Sequence, residues 1–532
     1  MKVLLATVHL DNSPQAFPLA AAVLASNIPS FAQGEILDLY LGQSVKTSTG
    51  KILESDPDVV GFSVYLWNVK KVLALAEELL SLQPDLRIIA GGPEVTADYR
   101  IFQKTGFFDA LFTGEGEVNL SAYLEMLKKG EDPPDLFTQT SPLNVSASIS
   151  PFLAKTINPS AYDGILWELS RGCIFNCSFC FESRGIKKVR SFPLERIERE
   201  LKLFTEVGVP QVFVLDPTFN LDRERAKTVL RLIKQTAPGI HFTFEIRSEF
   251  LDRETAELFS HISCSIQIGL QSADNRVLKN VSRSFDRDDF HDKILMLHEE
   301  GAVYGFDLIY GLPTDTYEGF CRSLDYALSL RPNHLDIFPL AVLKGTDLYD
   351  QAENFKLNWR KEEPYTVHST PDFPAEAMEK ARKLAEACDI FYNRGEAVPW
   401  FYMVLEPLEI KPSVFLEAFA GFLHSNTPSG LLETAELQIK FIGELFAEYG
   451  RERESKAAAD IIHWMSGTSH LIRNGEIDSL FMKFNFNIKQ LLDTIEMGID
   501  NLEELSFFAD EGPFTVKLVK SHEEVFPMII EP

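Results

Sequence analysis

Ser170-Arg-Gly-Cys-Ile-Phe-Asn-Cys-Ser-Phe-Cys180 carries three cysteines, Cys173, Cys177 and Cys180, on one short stretch. This spacing brings three thiolates onto one small loop. Soft thiolate sulfur selects zinc, copper(I) or iron–sulfur clusters. A structural zinc site takes four protein ligands, and no fourth Cys or His lies close in sequence. A four-iron cubane held by three thiolates keeps one iron open to an external ligand, and an open coordination position points to catalysis. A zinc-stapled loop and three buried thiols stand as the structural alternatives.

Downstream of this stretch, apolar strands alternate with amphipathic helices. Ile165 to Leu169, Val212 to Leu215, Phe242 to Ile246, Ser265 to Leu270, Gly305 to Tyr310 and His334 to Leu340 read as strands. Leu194 to Glu206 and Tyr317 to Leu330 read as helices between them. The pattern predicts a partial (β/α)6 barrel, with its site at the carboxyl ends of the strands. The cysteine loop follows the first strand. Polar residues at the other strand ends are Asp216, Glu245 with Arg247, Gln271, and Asp315 with Thr316, the last two also reading as a turn or helix cap. A guanidinium such as Arg247 suits a carboxylate through a bidentate fork.

Upstream, Val3 to Leu10, Ile36 to Leu41, Val59 to Tyr65, Arg87 to Gly91 and Ala110 to Thr113 read as strands. Asn68 to Leu82 reads as a helix whose apolar face is Val69, Val72, Leu73, Ala76, Leu79 and Leu80. Strands alternating with helices imply a doubly wound, Rossmann-like parallel sheet, whose ligands bind outside the carboxyl ends of its strands. The loops there hold Asn12, Ser13 and Gln15; Ser63, Tyr65, Leu66, Trp67 and Asn68; Gly91, Gly92, Pro93 and Glu94; and Gly114, Glu115 and Gly116. Glycines there let backbone approach a flat ligand. No G-x-G-x-x-G follows the first strand, so a dinucleotide site has no fingerprint.

The cysteine loop, with Phe179 before its last Cys and Arg171-Gly172 before its first, resembles the radical S-adenosylmethionine (SAM) enzymes. The N-terminal loops in front of it are similar to the cobalamin-binding domain of the cobalamin-dependent members. The resemblance implies an α/β protein: a Rossmann-like cobalamin-binding domain, a partial (β/α)6 radical SAM barrel and a mainly helical C-terminal domain. It implies a [4Fe–4S] cluster on Cys173, Cys177 and Cys180, whose free iron is chelated by SAM. One electron then cleaves the sulfonium and yields a 5′-deoxyadenosyl radical. It places SAM contacts at Phe179, Asp216, Glu245, Arg247, Gln271 (where relatives often have Glu) and Leu312, and cobalamin in the four N-terminal loops. No Asp-x-His-x-x-Gly motif is present, so the lower face of the corrin lacks a protein imidazole. Trp67 either presses on that face or packs. The implied activity is methyl transfer to an unactivated carbon of a small-molecule substrate. Relatives also perform rearrangement or cyclisation without methyl transfer, and a cobalamin-binding sensor without catalysis is a further alternative.

The 532 residues predict several domains: the cobalamin-binding domain at 1–132, a Pro- and Ser/Thr-containing linker at 133–163, the barrel at 164–350 and a helical domain at 351–532. In the last, Glu376 to Tyr392, Pro412 to His424, Thr434 to Tyr449 and Ser455 to Ser466 read as helices, and the segment around Phe514 to Val519 as a final strand pair. Val398 to Leu405 either lines a substrate space or fills a core. This part is similar to an uncharacterised helical extension on some cobalamin-dependent radical SAM proteins. The formal charge of -27 disfavours nucleic acid, and Arg184, Lys187, Lys188 and Arg190 are expected to face solvent or a cofactor carboxylate. No run of eighteen apolar residues predicts a membrane span. The first strand is too short for a signal-peptide core, and Cys264, Cys321 and Cys388 are scattered singly. A cytoplasmic enzyme is expected, with a reductant such as flavodoxin or ferredoxin.

Overall fold

The computed structural model describes residues 1–182, 187–423, 428–474, 477–522 and 524–531. Its first sheet has six parallel strands. In spatial order these are Gln33–Tyr40, Lys2–His9, Val59–Ser63, Arg87–Gly91, Ala110–Thr113 and Leu136–Thr138. Lys2–His9 is buried along almost its whole length, because helices cover both faces of a doubly wound sheet. The helix Val69–Leu82 turns Val69, Val72, Leu75, Ala76 and Leu79 inward, so Leu75 joins the predicted face while Leu73 and Leu80 lie at its margin. Leu136–Thr138, read above as part of a linker, is instead the outer strand of this sheet. The strand order reverses beside Lys2–His9, and the crevice at such a reversal is where these sheets take ligands.

The second sheet has six parallel strands in chain order: Ile165–Trp167, Gln211–Val214, His241–Ile246, Cys264–Gln271, Tyr304–Tyr310 and His334–Pro339. Sequential parallel pairing with covering helices gives the expected open barrel. The pairing of the fourth strand with the fifth shifts register between Gly269 and Gln271. The last strand would present an unpaired edge, but Asn393 pairs with it. Its Oδ1 accepts from the Leu335 N–H at 3.0 Å, and its Nδ2 donates to the Leu335 carbonyl at 2.9 Å. Asn393 sits in a π-helical turn, Asp389–Arg394, that continues the helix Ala375–Cys388.

The C-terminal part packs Pro412–Phe422, Leu431–Glu448 and Glu452–Arg473 around Phe391, Phe415, Phe419 and Phe441. Trp400, Phe401, Val404 and Leu405 are buried, so the aromatic segment fills a core. The predicted strand pair is a three-stranded antiparallel sheet of Ser479–Phe486, Glu511–Ser521 and Glu524–Glu531. One continuous buried cluster runs from Phe17 in the first domain through the barrel to Leu518. Among the described residues no helix is long and apolar enough to cross a membrane.

Candidate functional site

The cysteine loop leaves the first barrel strand through a narrow neck. Ser170–Arg171 pairs antiparallel with Arg190–Ser191, which closes the loop at its base. Cys173 and Cys177 are buried and Cys180 is half-buried. The loop is tied to the barrel: the Ser178 N–H donates to the Val281 carbonyl at 3.1 Å, and the Leu348 N–H to the Ser178 carbonyl at 2.8 Å. Phe179 is half-buried and packs on the barrel core. Among the described residues no three His, Cys, Asp or Glu side chains are grouped as one metal ion would need them. A cubane takes one thiolate per iron, so its three ligands need not converge on a point.

Asp216, expected at the cofactor, anchors this neck. Its Oδ1 accepts from the Leu169 N–H at 2.8 Å and the Ser170 N–H at 3.1 Å, and its Oδ2 accepts from the Ser170 hydroxyl. Burial pushes its carboxyl up to about 6 although these donors oppose the shift. Both oxygens are thus engaged by the backbone turn and hydroxyl that lead into the cysteines.

The barrel wall beside the loop is polar. Arg283, which the sequence gave no reason to single out, directs Nη1 at the Cys177 Sγ (3.9 Å) and Nη2 at the Gly269 carbonyl (2.7 Å), and its Nε has no partner. Gln271 sits at the register shift with φ +66°, and its Oε1 is buried without a partner. A left-handed non-glycine residue with an unmet acceptor is the type of strain that collects at ligand sites. Glu245 faces the open lumen, and burial, with the neighbouring Asp307 and Glu182 carboxylates, pushes it up to about 7. Asp307 accepts from the Gln267 amide at 2.6 Å and is raised to about 6 by burial, with Asp336 adding to the shift. Arg247 lies 3.8 Å from the Phe175 ring centroid and pairs with Glu249 at 2.6 Å. Leu312 is completely buried. The Thr316 hydroxyl caps the helix Tyr317–Ser329 by accepting from the Gly319 N–H. Asp315 is buried and accepts from the Thr316 N–H in the turn that leads into this cap.

On the facing sheet, Gly92 has φ +108°, and a Cβ there would stand 2.7 Å from the Val64 carbonyl oxygen. Gly114, at φ +81°, lies against the side chain of Gln139 rather than backbone. The positive φ at both positions favours glycine at the sheet's carboxyl end. Gly91 and Gly116 flank them, half-buried. Asn12, Gln15 and Pro93 are exposed, while Ser13, Ser63 and Leu66 are half-buried. Asn68 is fully buried and spends its side chain on the Tyr65 N–H and the Val8 and Ser63 carbonyls, which shapes the turn after the third strand. Glu94 is buried and accepts from the Tyr365 hydroxyl at 2.9 Å. Trp67 stacks on Tyr65 with ring centroids 4.7 Å apart, donates its indole N–H to the Val8 carbonyl at 3.0 Å and stays 43% exposed. It therefore packs and also presents an apolar face at the strand ends.

Glu115, expected to meet cobalamin, instead bridges the two sheets. It pairs with Arg171 at 3.2 Å and Arg190 at 2.8 Å. Despite its burial, the Arg190, Gln139 and Leu143 donors pull its carboxyl down to about 2. Arg190 is thus engaged with protein rather than solvent; Arg184 lies outside the described residues. Through Arg171 the carboxyl ends of the two sheets face each other. Leu10 and Trp67 on one side, and Ile174, Leu215 and Phe338 on the other, are 43% to 58% exposed there.

A thiolate loop on the first strand of an open barrel, facing the glycine loops of a doubly wound sheet, defines a radical SAM protein with a cobalamin-type companion domain. Residues 167–327 match the family described as the Radical SAM superfamily, and residues 1–124 match the B12 binding domain; the chain is a B12-binding-domain radical SAM enzyme. It is 26% identical over 412 residues to an uncharacterized methyltransferase of Pyrococcus horikoshii, covering 72% of this chain and 89% of that protein. It is 26% identical over 367 residues to the cobalamin-dependent radical SAM methyltransferase TokK of Streptomyces tokunonensis, covering 61% of this chain but only 53% of that protein. Among solved structures, the radical SAM enzyme OxsB with aqua-cobalamin and SAM bound superposes at a TM-score of 0.59 and 15% identity, over 95% of this chain and 83% of that one. The methyltransferase TsrM from Kitasatospora setae, with tryptophan and a SAM analogue bound, superposes at 0.57 and 16% identity, over 85% of this chain and 99% of that one. At these identities the superpositions show the fold.

Proposed function

We propose that this chain is a cobalamin-dependent radical SAM methyltransferase acting on an unactivated carbon of a small molecule. The observation that carries the reading is the meeting of the cysteine loop with the Gly114–Gly116 loop across Arg171, which supports two neighbouring cofactor sites. When bound, the cluster and SAM supply a hydrogen-abstracting radical and the corrinoid supplies a methyl group. The protein's part is binding, orientation and exclusion of side reactions.

In this reading Cys173, Cys177 and Cys180 ligate three irons. Arg283, partnerless at Nε beside Cys177, suits a carboxylate at the fourth iron. The orphaned Oε1 of Gln271 suits a ribose hydroxyl. Glu245 and Asp307 give the lumen the negative charge that an ammonium or sulfonium seeks. Gly92 and Gly114 would let a corrin lie on backbone, and Trp67 would meet it with the apolar face it exposes at the strand ends. The exposed apolar side chains at the strand ends exclude water from the shared space, and holding reactants there raises their effective concentration. A cytoplasmic reductant of the flavodoxin or ferredoxin type belongs to the same proposal.

The test is anaerobic reconstitution with iron, sulfide, cobalamin and methyl-labelled SAM, followed by product analysis. Label in a product supports the methyltransferase. Formation of 5′-deoxyadenosine without label transfer replaces it with another radical reaction. Neither product, with both cofactors bound, makes the chain a sensor.

A further inference from the structure

The neck of the cysteine loop is built from two arginines that are partners in one two-residue ladder, Arg171 opposite Arg190. Both reach across to the first domain. Arg171 forks onto Glu168 through Nε and NH2, and gives NH1 to Glu117 at 2.6 Å and Glu115 at 3.2 Å. Arg190 gives NH1 to Glu115 at 2.8 Å and to the Leu143 carbonyl at 3.0 Å. The side chains of these five residues are between 7% and 24% exposed. Glu115 and Glu117 bracket Gly116 and follow Gly114, so the carboxylates belong to the loop that faces the corrinoid space. Half-buried ion pairs of this kind hold one geometry, because leaving one partner unpaired is costly. Both arginines stand on the ladder at 170–171 and 190–191 that closes the cysteine loop at its base, so the cluster loop and the Gly114–Gly116 loop share one set of ion pairs.

We propose that Arg171 and Arg190 are positioning residues that couple the two cofactor sites, so that loading the cysteine loop tightens cobalamin binding at the Gly114–Gly116 loop. This rests on the function proposed above and adds an energetic link between its two halves. Coupling of this kind is reciprocal, so bound cobalamin in turn secures the cluster.

Equilibrium dialysis of the full chain against aquacobalamin, with and without the reconstituted cluster, measures the link. The expected result is at least about fivefold tighter binding in the cluster-loaded protein, the lower end of ordinary coupling. Arg171→Lys keeps the charge but loses the fork, and Glu117→Gln keeps an acceptor but loses the charge. In each, cobalamin still binds, but the ratio falls toward one. In the native chain added cobalamin is expected to alter the electron paramagnetic resonance spectrum of the reduced cluster, and both variants lose that change, which a purely structural role would not produce. Equal affinities with and without the cluster in the native chain overturn the coupling while leaving the function intact. Native coupling retained in whichever variant folds overturns the role of the arginines. A chain that takes up neither cofactor overturns the function and the coupling together.

Discussion

Replacing Asp216 separates an anchoring carboxylate from one that meets a ligand. The wild-type carboxyl is carried from 3.8 to about 6 by burial, which corresponds to about 3 kcal/mol disfavouring its charged form in the folded chain. The folded state therefore holds the proton more tightly, so this group's contribution to stability is greatest below pH 4 and is lost as pH rises toward 6. Asp216→Asn removes the buried charge and keeps an oxygen for the Leu169 and Ser170 N–H groups. It is expected to be as stable as the native protein at pH 4 and about 1–2 kcal/mol more stable above pH 6. Asp216→Ala strands two buried N–H donors and a hydroxyl, each worth about 1–3 kcal/mol. Less the relief of the buried charge, the expected loss is about 2–4 kcal/mol. Hydrogen exchange of the 165–171 segment reads this locally, with protection kept or raised in Asp216→Asn and lost in Asp216→Ala. If Asp216→Asn keeps its protection but loses SAM affinity tenfold, the carboxylate meets the cofactor and the anchoring argument is wrong.

Other expectations follow from the same geometry. Glu245, raised to about 7 beside Asp307 and Glu182, should make SAM affinity fall as pH drops from 8 to 6, and Glu245→Gln should flatten that profile in calorimetric titration. The same raised carboxyl means the ligand-free chain loses stability as pH rises from about 4.5 toward 7, visible as a lower thermal midpoint. Gly92→Ala puts a Cβ 2.7 Å from the Val64 oxygen at φ +108°; cobalamin retention should fall at least about tenfold, with about 2 kcal/mol of lost stability. Asn393→Leu leaves the Leu335 N–H and carbonyl without partners and should cost about 2–4 kcal/mol, read as protease sensitivity of the last barrel strand.

All six barrel strands and five strands of the first sheet were legible, because buried parallel strands are short apolar runs between turn residues. Leu136–Thr138 was not: two half-buried residues and one exposed at a sheet edge carry too little apolar signal to stand out beside Pro133 and Pro134. Ser479–Phe486 pairs with Glu511–Ser521 across two intervening helices, a partnership that no turn signal between them marks. The site was legible as a set of loops but less so by role. Strand ends gather polar residues for two reasons, ligand contact and acceptors for backbone N–H groups, and position alone does not separate them. Asp216 and Asn68 serve the backbone, and Glu115 serves the partner domain. Arg283 follows a short helix with no pattern around it, and only the folded chain brings it to Cys177.

The pairing of Asn393 with Leu335 changes what counts as a separable part of this molecule. A side-chain amide supplied from the third segment stands in for the seventh strand that an open barrel lacks. Cutting the chain after residue 350 would bare a sticky ribbon edge of the sort that recruits other chains into aggregates. Attempts to trim this enzyme to its two chemical modules, or to graft its tail onto a relative, must therefore carry that surrogate amide along.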